Sequence, residues 1–329
     1  MKIAVDAMGG DHAPEIIVLG AVEAAREFDL SLILVGDQEG VSRELAKINP
    51  PSDLIEVRHC AQVAGMDEAP VEVLRQKKDS SIRVAFDLVK SGRAQAVVSA
   101  GNSGATLAVG TVVLGRLAGV ERPGIATLFP TLKGRTILMD AGANVDCKPS
   151  FLLQFAIMAR AFSQIALQVE NPRVRLLSIG EENTKGNDLV RQAHDLLSAE
   201  HLNFIGNIEG RDIFSGLADV IVCDGFVGNV VLKVSEGLAE AMGLMLKEEL
   251  EAGFFSRWGA LLTLGALKRF KKRVDYAEFG GAPLLGINGV GIISHGGSSP
   301  KAIKNAIRFA AELVRSDVTA RLQEYLRRF

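Results

Sequence analysis

Apolar positions along this chain switch between two periods almost from end to end. Strand-length runs rich in β-branched residues recur at Lys2–Val5, Leu32–Val35, Leu54–Val57, Ala96–Ser99, Thr136–Met139, Val174–Ile179, Phe204–Ile205, Val220–Cys223 and Gly289–Ser294. Between them lie stretches with helical spacing, among them Glu15–Phe28, Ser81–Ser91, Phe151–Ala166 and Leu189–Ala199. Strand–helix alternation of this kind predicts an α/β fold: a mainly parallel sheet with helices on both faces. In such sheets ligands bind beyond the carboxyl ends of the strands, where loops enter the next helix. No repeat, low-complexity tract or Pro/Gly/Ser linker divides the chain, so residues 1–329 read as a single α/β catalytic unit, with two lobes about a cleft as the other arrangement. One region breaks the rhythm. From Val227 to Arg273 the pattern stays helical, with a turn near Gly253, which predicts an antiparallel helix pair projecting from the sheet.

Composition narrows the function classes. With 48% hydrophobic residues, 23% charged residues and a formal net charge of −2, the chain has the balance of a soluble globular protein and lacks the basic excess of a nucleic-acid binder. Cys60, Cys147 and Cys223 are odd in number and far apart, which suggests neither a disulfide framework nor a zinc site and favours a reducing compartment. The N-terminus opens directly on a strand pattern without a signal-peptide core, and no uninterrupted apolar run reaches the length of a spanning helix. The expected location is the cytoplasm.

Candidate chemistry sits in five loops that share a composition: glycine beside a small polar or charged residue, directly after a strand. They are DAMGGD (6–11), SAGNSGA (99–105), GEENTKGN (180–187), DGFVGN (224–229) and HGGSS (295–299). Small residues let backbone close around a ligand, and free N–H groups at a helix start attract anions. SAGNSGA and HGGSS are the best phosphate cradles, because hydroxyls and N–H groups converge there. There is no GxxxxGK[ST] and no GxGxxG after the first strand, so nucleotide binding is not indicated. A glycine-rich turn alone is weak, since α/β proteins use such turns for geometry; five of them, expected on one side of one sheet, weigh more.

Single residues carry two readings each. Asp6 and Asp11 are placed either to hold a metal or orient a catalytic group, or to cap the helix beginning near Pro14, with a structural role favoured for at least one. His295 is either a proton donor or phosphate ligand, or a plain hydrogen-bonding histidine. Lys185 is either an anion contact or a solvated lysine. Cys147, in NVDCKP, lacks a paired histidine, so an inert thiol is preferred over a nucleophile.

Taken in order, DAMGGD, SAGNSGA, GEENTKGN, DGFVGN, FGGAPLLG (279–286) and HGGSS resemble the phosphate acyltransferase family of bacterial phospholipid synthesis, over essentially the whole chain. Phe279 stands where that family is expected to carry tyrosine. The resemblance implies an acyl-carrier-protein:phosphate transacylase, a three-layer α/β/α sandwich like that of the isocitrate and isopropylmalate dehydrogenases, and a homodimer. It implies acyl carrier protein and inorganic phosphate as substrates, no metal and no other cofactor, and a product that feeds the membrane's glycerol-3-phosphate acyltransferase. On this reading Ser99, Asn102, Ser103 and the Gly101 and Gly104 amides bind phosphate or the oxyanion. His295 and Ser298 complete that pocket from across the cleft, while Lys185, Asp224 and Asn229 hold the thioester or the phosphopantetheine arm. Asn102, His295 and Lys185 are the expected catalytic residues.

The projecting segment reads GFFSRWGALLTLGALKRFKKR, with six Lys/Arg, no acid and the chain's only tryptophan. Phe254, Phe255, Trp258, Leu261 and Leu262 fall near one helical face, with Lys268, Arg269, Lys271, Lys272 and Arg273 beyond. Two uses compete: contact with an anionic membrane surface, peripheral at the inner face of the cell membrane, or a dimer seam whose basic end receives the acidic carrier protein. Three rival functions remain open. They are a short-chain phosphotransacetylase using acyl-coenzyme A, a dehydrogenase of the related fold, and a non-enzymatic peripheral scaffold for lipid-synthesis enzymes.

Overall fold

The computed structural model describes residues 1–51, 53–274, 278 and 280–328. Among the described residues, eleven strands form one sheet: β1 (Lys2–Asp6), β2 (Ser31–Gly36), β3 (Ile55–His59), β4 (Ala96–Ser99), β5 (Gly124–Thr131), β6 (Gly134–Met139), β7 (Val174–Ser178), β8 (Phe204–Glu209), β9 (Val220–Val222), β10 (Ala282–Leu285) and β11 (Val290–Ile293). Their order is β3-β2-β1-β4-β11-β10-β5-β6-β9-β7-β8.

The α/β sandwich is as expected, but the sheet is not uniform in direction. β3, β2, β1, β4 and β11 are mutually parallel. So are β6, β9, β7 and β8. Between them β10 pairs antiparallel with both β11 and β5, and β5 pairs antiparallel with β6. Three reversals leave the two parallel halves running in opposite directions. The expectation that all five glycine loops share one side of the sheet is therefore corrected. DAMGGD, SAGNSGA and HGGSS follow β1, β4 and β11 in one half. GEENTKGN and DGFVGN follow β7 and β9 in the other, where the strands point the opposite way. The two joining strands carry Pro130 and Pro283, which break the alternating pattern by which strands are recognised.

Helices α1 (Glu15–Phe28), α2 (Gln38–Ile48), α3 (Pro70–Gln76), α4 (Ser81–Lys90), α5 (Ser103–Leu114), α6 (Pro149–Ala166), α7 (Asp188–Ala199), α8 (Gly225–Glu251), α9 (Phe254–Val274), α10 (Pro300–Arg315) and α11 (Val318–Leu326) complete the chain. Their starts follow capping chemistry. The side chains of Asp37, Asn102, Asn187, Asp224 and Ser299 accept amide hydrogens at the starts of α2, α5, α7, α8 and α10. Pro149 and Pro300 occupy the first turns of α6 and α10, where a missing N–H costs nothing. The helix α1 departs from the expected cap. Pro14 stands at its N-cap without a side-chain hydrogen bond, so neither Asp6 nor Asp11 serves there.

Burial follows from which faces the helices cover. The largest core cluster joins α1, α10, α11, α6 and α7 to strands of both halves, with Phe155, Phe162, Val98, Ile292 and Val222 inside it. On the opposite face α4 and α5 cover the first half around Phe86 and Ile82. The second half has only a small cluster there, formed by Leu138, Ile208 and Ile221, and Val231 and Leu232 at the base of α8 pack against it. Beyond that base α8 is exposed, and so is α9.

Candidate active site

The three loops of the first half are knitted by their backbones. Asp6, at the end of β1, is buried; its Oδ2 accepts from Ser99 Oγ at 2.7 Å and its Oδ1 from the Met8 amide at 3.2 Å. Ser99 Oγ in turn accepts from the Gly101 amide at 3.1 Å. Burial pushes the Asp6 carboxyl above its ordinary value, against the hydrogen bonds from Ser81 and Ser99 that lower it. Gly9 must be glycine: a Cβ there would stand 2.7 Å from both Asp6 Oδ2 and the Gly101 nitrogen. The Asp11 amide donates to the Gly296 carbonyl at 2.9 Å and the Ser294 amide to Ser99 at 2.8 Å, so HGGSS joins the other two loops. Ser298 is buried and shares a 2.8 Å hydrogen bond with Ser294 Oγ.

Asn102 is the hub that fixes a fourth segment, residues 65–68. Its Oδ1 caps α5 by accepting from the Ala105 amide at 3.0 Å. Its Nδ2 donates to the carbonyls of Met66 at 2.8 Å, Glu68 at 2.9 Å and Gly65 at 3.4 Å. Both ends of the side chain are thus occupied in holding backbone. The amides of Ser103 and Gly104, in the first turn of α5, have no intrahelical acceptor by geometry, and Ser103 is exposed.

The second half carries a matching cluster that the loop motifs did not single out. Asp140, fully buried at the end of β6, accepts from the amides of Ile125, Ala143 and Asn144 and from Asn144 Nδ2, at 2.7–3.0 Å. Burial raises this carboxyl as well, outweighing those four donors. Asn144 holds the start of α8, accepting from the Gly225 amide at 2.7 Å. Gly228 lies so close that a Cβ would meet the Asp140 carbonyl oxygen at 1.8 Å. Asp224 caps α8 through the Val227 amide at 2.9 Å, and Asn229 lies against Gly142, whose φ of +129° suits glycine. The signal for this cluster was an echo: DAGAN (140–144) follows TILM much as DAMGG (6–10) follows KIAV.

Lys185 is exposed in the turn after β7, where its amide bonds the Glu182 carbonyl. Cys147 donates to the Asn144 carbonyl at 3.3 Å, and burial pushes its thiol up to about 12. That thiol stays protonated at neutral pH, in agreement with the inert reading.

A side chain of α8 also reaches from the second half to the first. His295 Nε2 lies 2.8 Å from Lys233 Nζ, and Lys233 Nζ lies 2.9 Å from Glu236 Oε2. Neither Lys233 nor Glu236 was anticipated, because nothing in NVVLKVSEG distinguishes them from the polar side of an ordinary helix.

A family described as "Fatty acid synthesis protein" matches residues 1–321. A protein named "Phosphate acyltransferase" from Geotalea uraniireducens is 58% identical over 326 residues, covering 99% of this chain and 94% of its own length. One of the same name from Geobacter sulfurreducens is 58% identical over 324 residues, with 98% and 94% covered. The chain belongs to the phosphate acyltransferase family. In fold it is similar to a phosphotransacetylase from Streptococcus pyogenes, with a TM-score of 0.67, 20% identity, and 96% and 94% of the two chains covered. A 4-hydroxythreonine-4-phosphate dehydrogenase from Klebsiella pneumoniae shares the fold more distantly, with a TM-score of 0.55, 14% identity, and 95% and 99% covered.

This family member leaves its helical hairpin bare. On α9, Phe255 is 88% and Leu262 86% exposed, with Phe254, Trp258 and Leu261 also open to solvent. Phe254 makes edge-on ring contacts with Phe255 and Trp258, which pre-form an aromatic tip. Lys268, Arg269 and Lys272 are exposed; the side chain of Lys271 and the whole of Phe279 lie outside the described residues. Arg273 has a different duty. Its guanidinium donates to the carbonyls of Leu132 at 2.7 Å and Thr131 at 3.1 Å, tying the end of α9 to the turn between β5 and β6.

Asn102→Ala removes a helix cap worth about 1 kcal/mol and leaves the carbonyls of Met66 and Glu68 without their donor. Thermal melting will fall by several degrees and limited proteolysis will cut sooner near residues 65–68. Lost turnover with unchanged melting and cleavage would instead mark a direct chemical role.

The raised Asp6 carboxyl binds its proton more tightly in the folded state than in the unfolded one. Its contribution to stability is therefore full below the ordinary value of 3.8 and declines as pH climbs through the raised one. In Asp6→Asn the melting temperature will fall less steeply than in the parent from about pH 4 upward. Parallel curves would show that this carboxyl is not raised.

Proposed function

We infer that the chain transfers a fatty acyl group from the thioester of acyl carrier protein to inorganic phosphate, giving acyl phosphate and free carrier thiol. The observation that carries this reading is the 58% likeness, over almost the whole chain, to proteins named for phosphate acyl transfer. In the reaction a phosphate oxygen attacks the thioester carbonyl carbon. The C–O bond forms, the C–S bond breaks, and the proton of hydrogen phosphate ends on the departing sulfur. The electrons balance without a redox partner and without an enzyme nucleophile. Positioning two reactants supplies roughly 7–11 kcal/mol in favourable cases and one oxyanion donor about 3–4 kcal/mol, so orientation is sufficient in principle.

The first-half loops support this use. Their backbones close within van der Waals distance, and the Ser103 and Gly104 amides remain available at the start of α5 for a phosphate or oxyanion. Ser99, Gly101, Asn102 and Ser298 act in this reading by holding the cradle in shape, and His295 faces the reacting groups from its rim. Lys185, Asp224 and Asn229, in the second half, are assigned to the carrier arm.

The exposed surfaces are assigned to partners. Val234, Leu238, Ala241 and Met245 recur along α8 with alternating four- and three-residue spacing beyond its packed base, the seam of two packed helices, which favours a homodimer through this face. The aromatic tip of α9, beside exposed Lys268, Arg269 and Lys272, favours peripheral contact with an anionic bilayer at its cytoplasmic face. Each large side chain buried there contributes about 1.5–3 kcal/mol and each cation about 1 kcal/mol. No helix among the described residues is long and apolar enough to cross a membrane. A greasy product released at the bilayer is well placed for the glycerol-3-phosphate acyltransferase that consumes it.

Incubation with palmitoyl-acyl carrier protein will release thiol and hydroxylamine-trappable acyl phosphate only when phosphate is present. Absence of both from folded protein overturns the reading, and equal turnover with short acyl-coenzyme A would redirect it to a phosphotransacetylase.

Trp258→Glu will lower co-sedimentation with anionic liposomes while leaving the oligomeric state unchanged. Equal pelleting of the variant and the parent removes the membrane assignment.

A further inference from the structure

We propose that Lys233 of α8 is a phosphate-binding residue, acting with the Nε2–H of His295 to hold inorganic phosphate; this rests on the transacylase reading above. The argument starts from the donors around the imidazole. The Gly297 amide points at His295 Nδ1 from 3.1 Å, which makes Nδ1 an acceptor and leaves the ring proton of the neutral form on Nε2. Nε2 then faces the Lys233 ammonium at 2.8 Å, donor against donor. The other neutral tautomer only moves the conflict to Gly297, and the imidazolium creates it on both sides while adding repulsion from Lys233. Among the protein's own groups, every protonation state of this ring sets one donor against another, on side chains that are 44% and 51% exposed and so open to an incoming acceptor.

An oxyanion resolves the conflict. One oxygen seated between Nζ and Nε2 accepts from both, and charge-assisted hydrogen bonds of this kind are roughly twice as strong as neutral ones. Glu236 partly fills that role in the present arrangement. Its Oε2 is 2.9 Å from Lys233 Nζ but 3.8 Å from His295 Nε2, so it satisfies the lysine and falls short of the histidine. Glu236 thus holds the Lys233 side chain against the HGGSS loop until a better acceptor arrives.

Two further observations point to the phosphate of the reaction. His295 belongs to the loop whose Gly296 carbonyl is bonded by the Asp11 amide and which follows the Ser294 amide bonded to Ser99, so the donor pair sits on a loop tied to the other two of the first half. Lys233 is carried on a helix whose start is anchored by Gly225 on Asn144 and by Gly228 on Asp140, so its reach to His295 is built in. The carrier arm also has a phosphate, a diester with a single charge, and the test separates the two sources.

The test uses the full-length protein with Lys233→Met and Lys233→Arg. Loss of a hydrogen-bonded charge predicts that Lys233→Met raises the KM for phosphate at least about tenfold while the KM for acyl-acyl carrier protein stays within about twofold. Inorganic phosphate alone, without acyl donor, will raise the melting temperature of the parent and of Lys233→Arg but not of Lys233→Met. Lys233→Arg will recover part of the phosphate affinity. An unchanged phosphate KM overturns the proposal, and so does a rise confined to the carrier-protein KM, which would place the carrier's phosphodiester there. If the parent shows no turnover at all, the transacylase reading fails separately, and the phosphate-dependent melting shift still decides whether Lys233 holds the anion. Should Lys233→Met fail to fold, Lys233→Ala takes its place, and a parental phosphate KM or a parental melting shift in that variant would each overturn the proposal.

Discussion

Parallel strands deliver their loops to one edge, and a sheet that reverses direction in its middle delivers them to two. That constraint governs the rest of this molecule. The antiparallel insertion of β10 and β5 sets DAMGGD, SAGNSGA and HGGSS apart from GEENTKGN and DGFVGN. A reaction that needs both groups of loops requires an element that leaves one half and reaches the other. The helix α8 is that element: it is capped by Asp224, seated on Asp140 and Asn144, and its third turn lies against His295. Its length, 27 residues, then continues far beyond what catalysis asks of it.

The two buried aspartates play matching parts at the two ends. Asp6 gathers Ser99 and the Met8 amide, and Asp140 gathers three amides and one side chain, so each half builds its loop around a buried carboxyl group. Burying such a group without partners would cost several kcal/mol, and the hydrogen bonds offset that cost while fixing the loop. Rigid backbone cradles suit a reaction whose acceleration comes from placing two substrates rather than from bond-making by a side chain.

Much of this was legible in the sequence. Strand–helix alternation gave the fold class, and the ordered glycine motifs identified the family. The loops also came out beside their strands as expected. What escaped detection has physical reasons. β5 and β10 carry proline and read as loops, yet they are the strands that reverse the sheet, so the relative placement of the motifs could not be read without them. Asn102 read as a ligand because an amide in a glycine loop can serve substrate or backbone equally well, and its four backbone partners could not be foreseen from the sequence. Lys233 and Glu236 were invisible because periodicity shows which side of a helix is polar but not what that side meets.

The anchoring of α8 has a consequence for how this sequence can vary. Gly228 is locked on Asp140, and Lys233 meets His295 five residues later. Each helical residue turns the chain by about 100° and advances it about 1.5 Å. One inserted or deleted residue between these points would swing the ammonium well away from the imidazole without touching either side chain. Over this stretch the count of residues is therefore as strongly constrained as their identity, and natural variation there is expected to proceed by substitution alone.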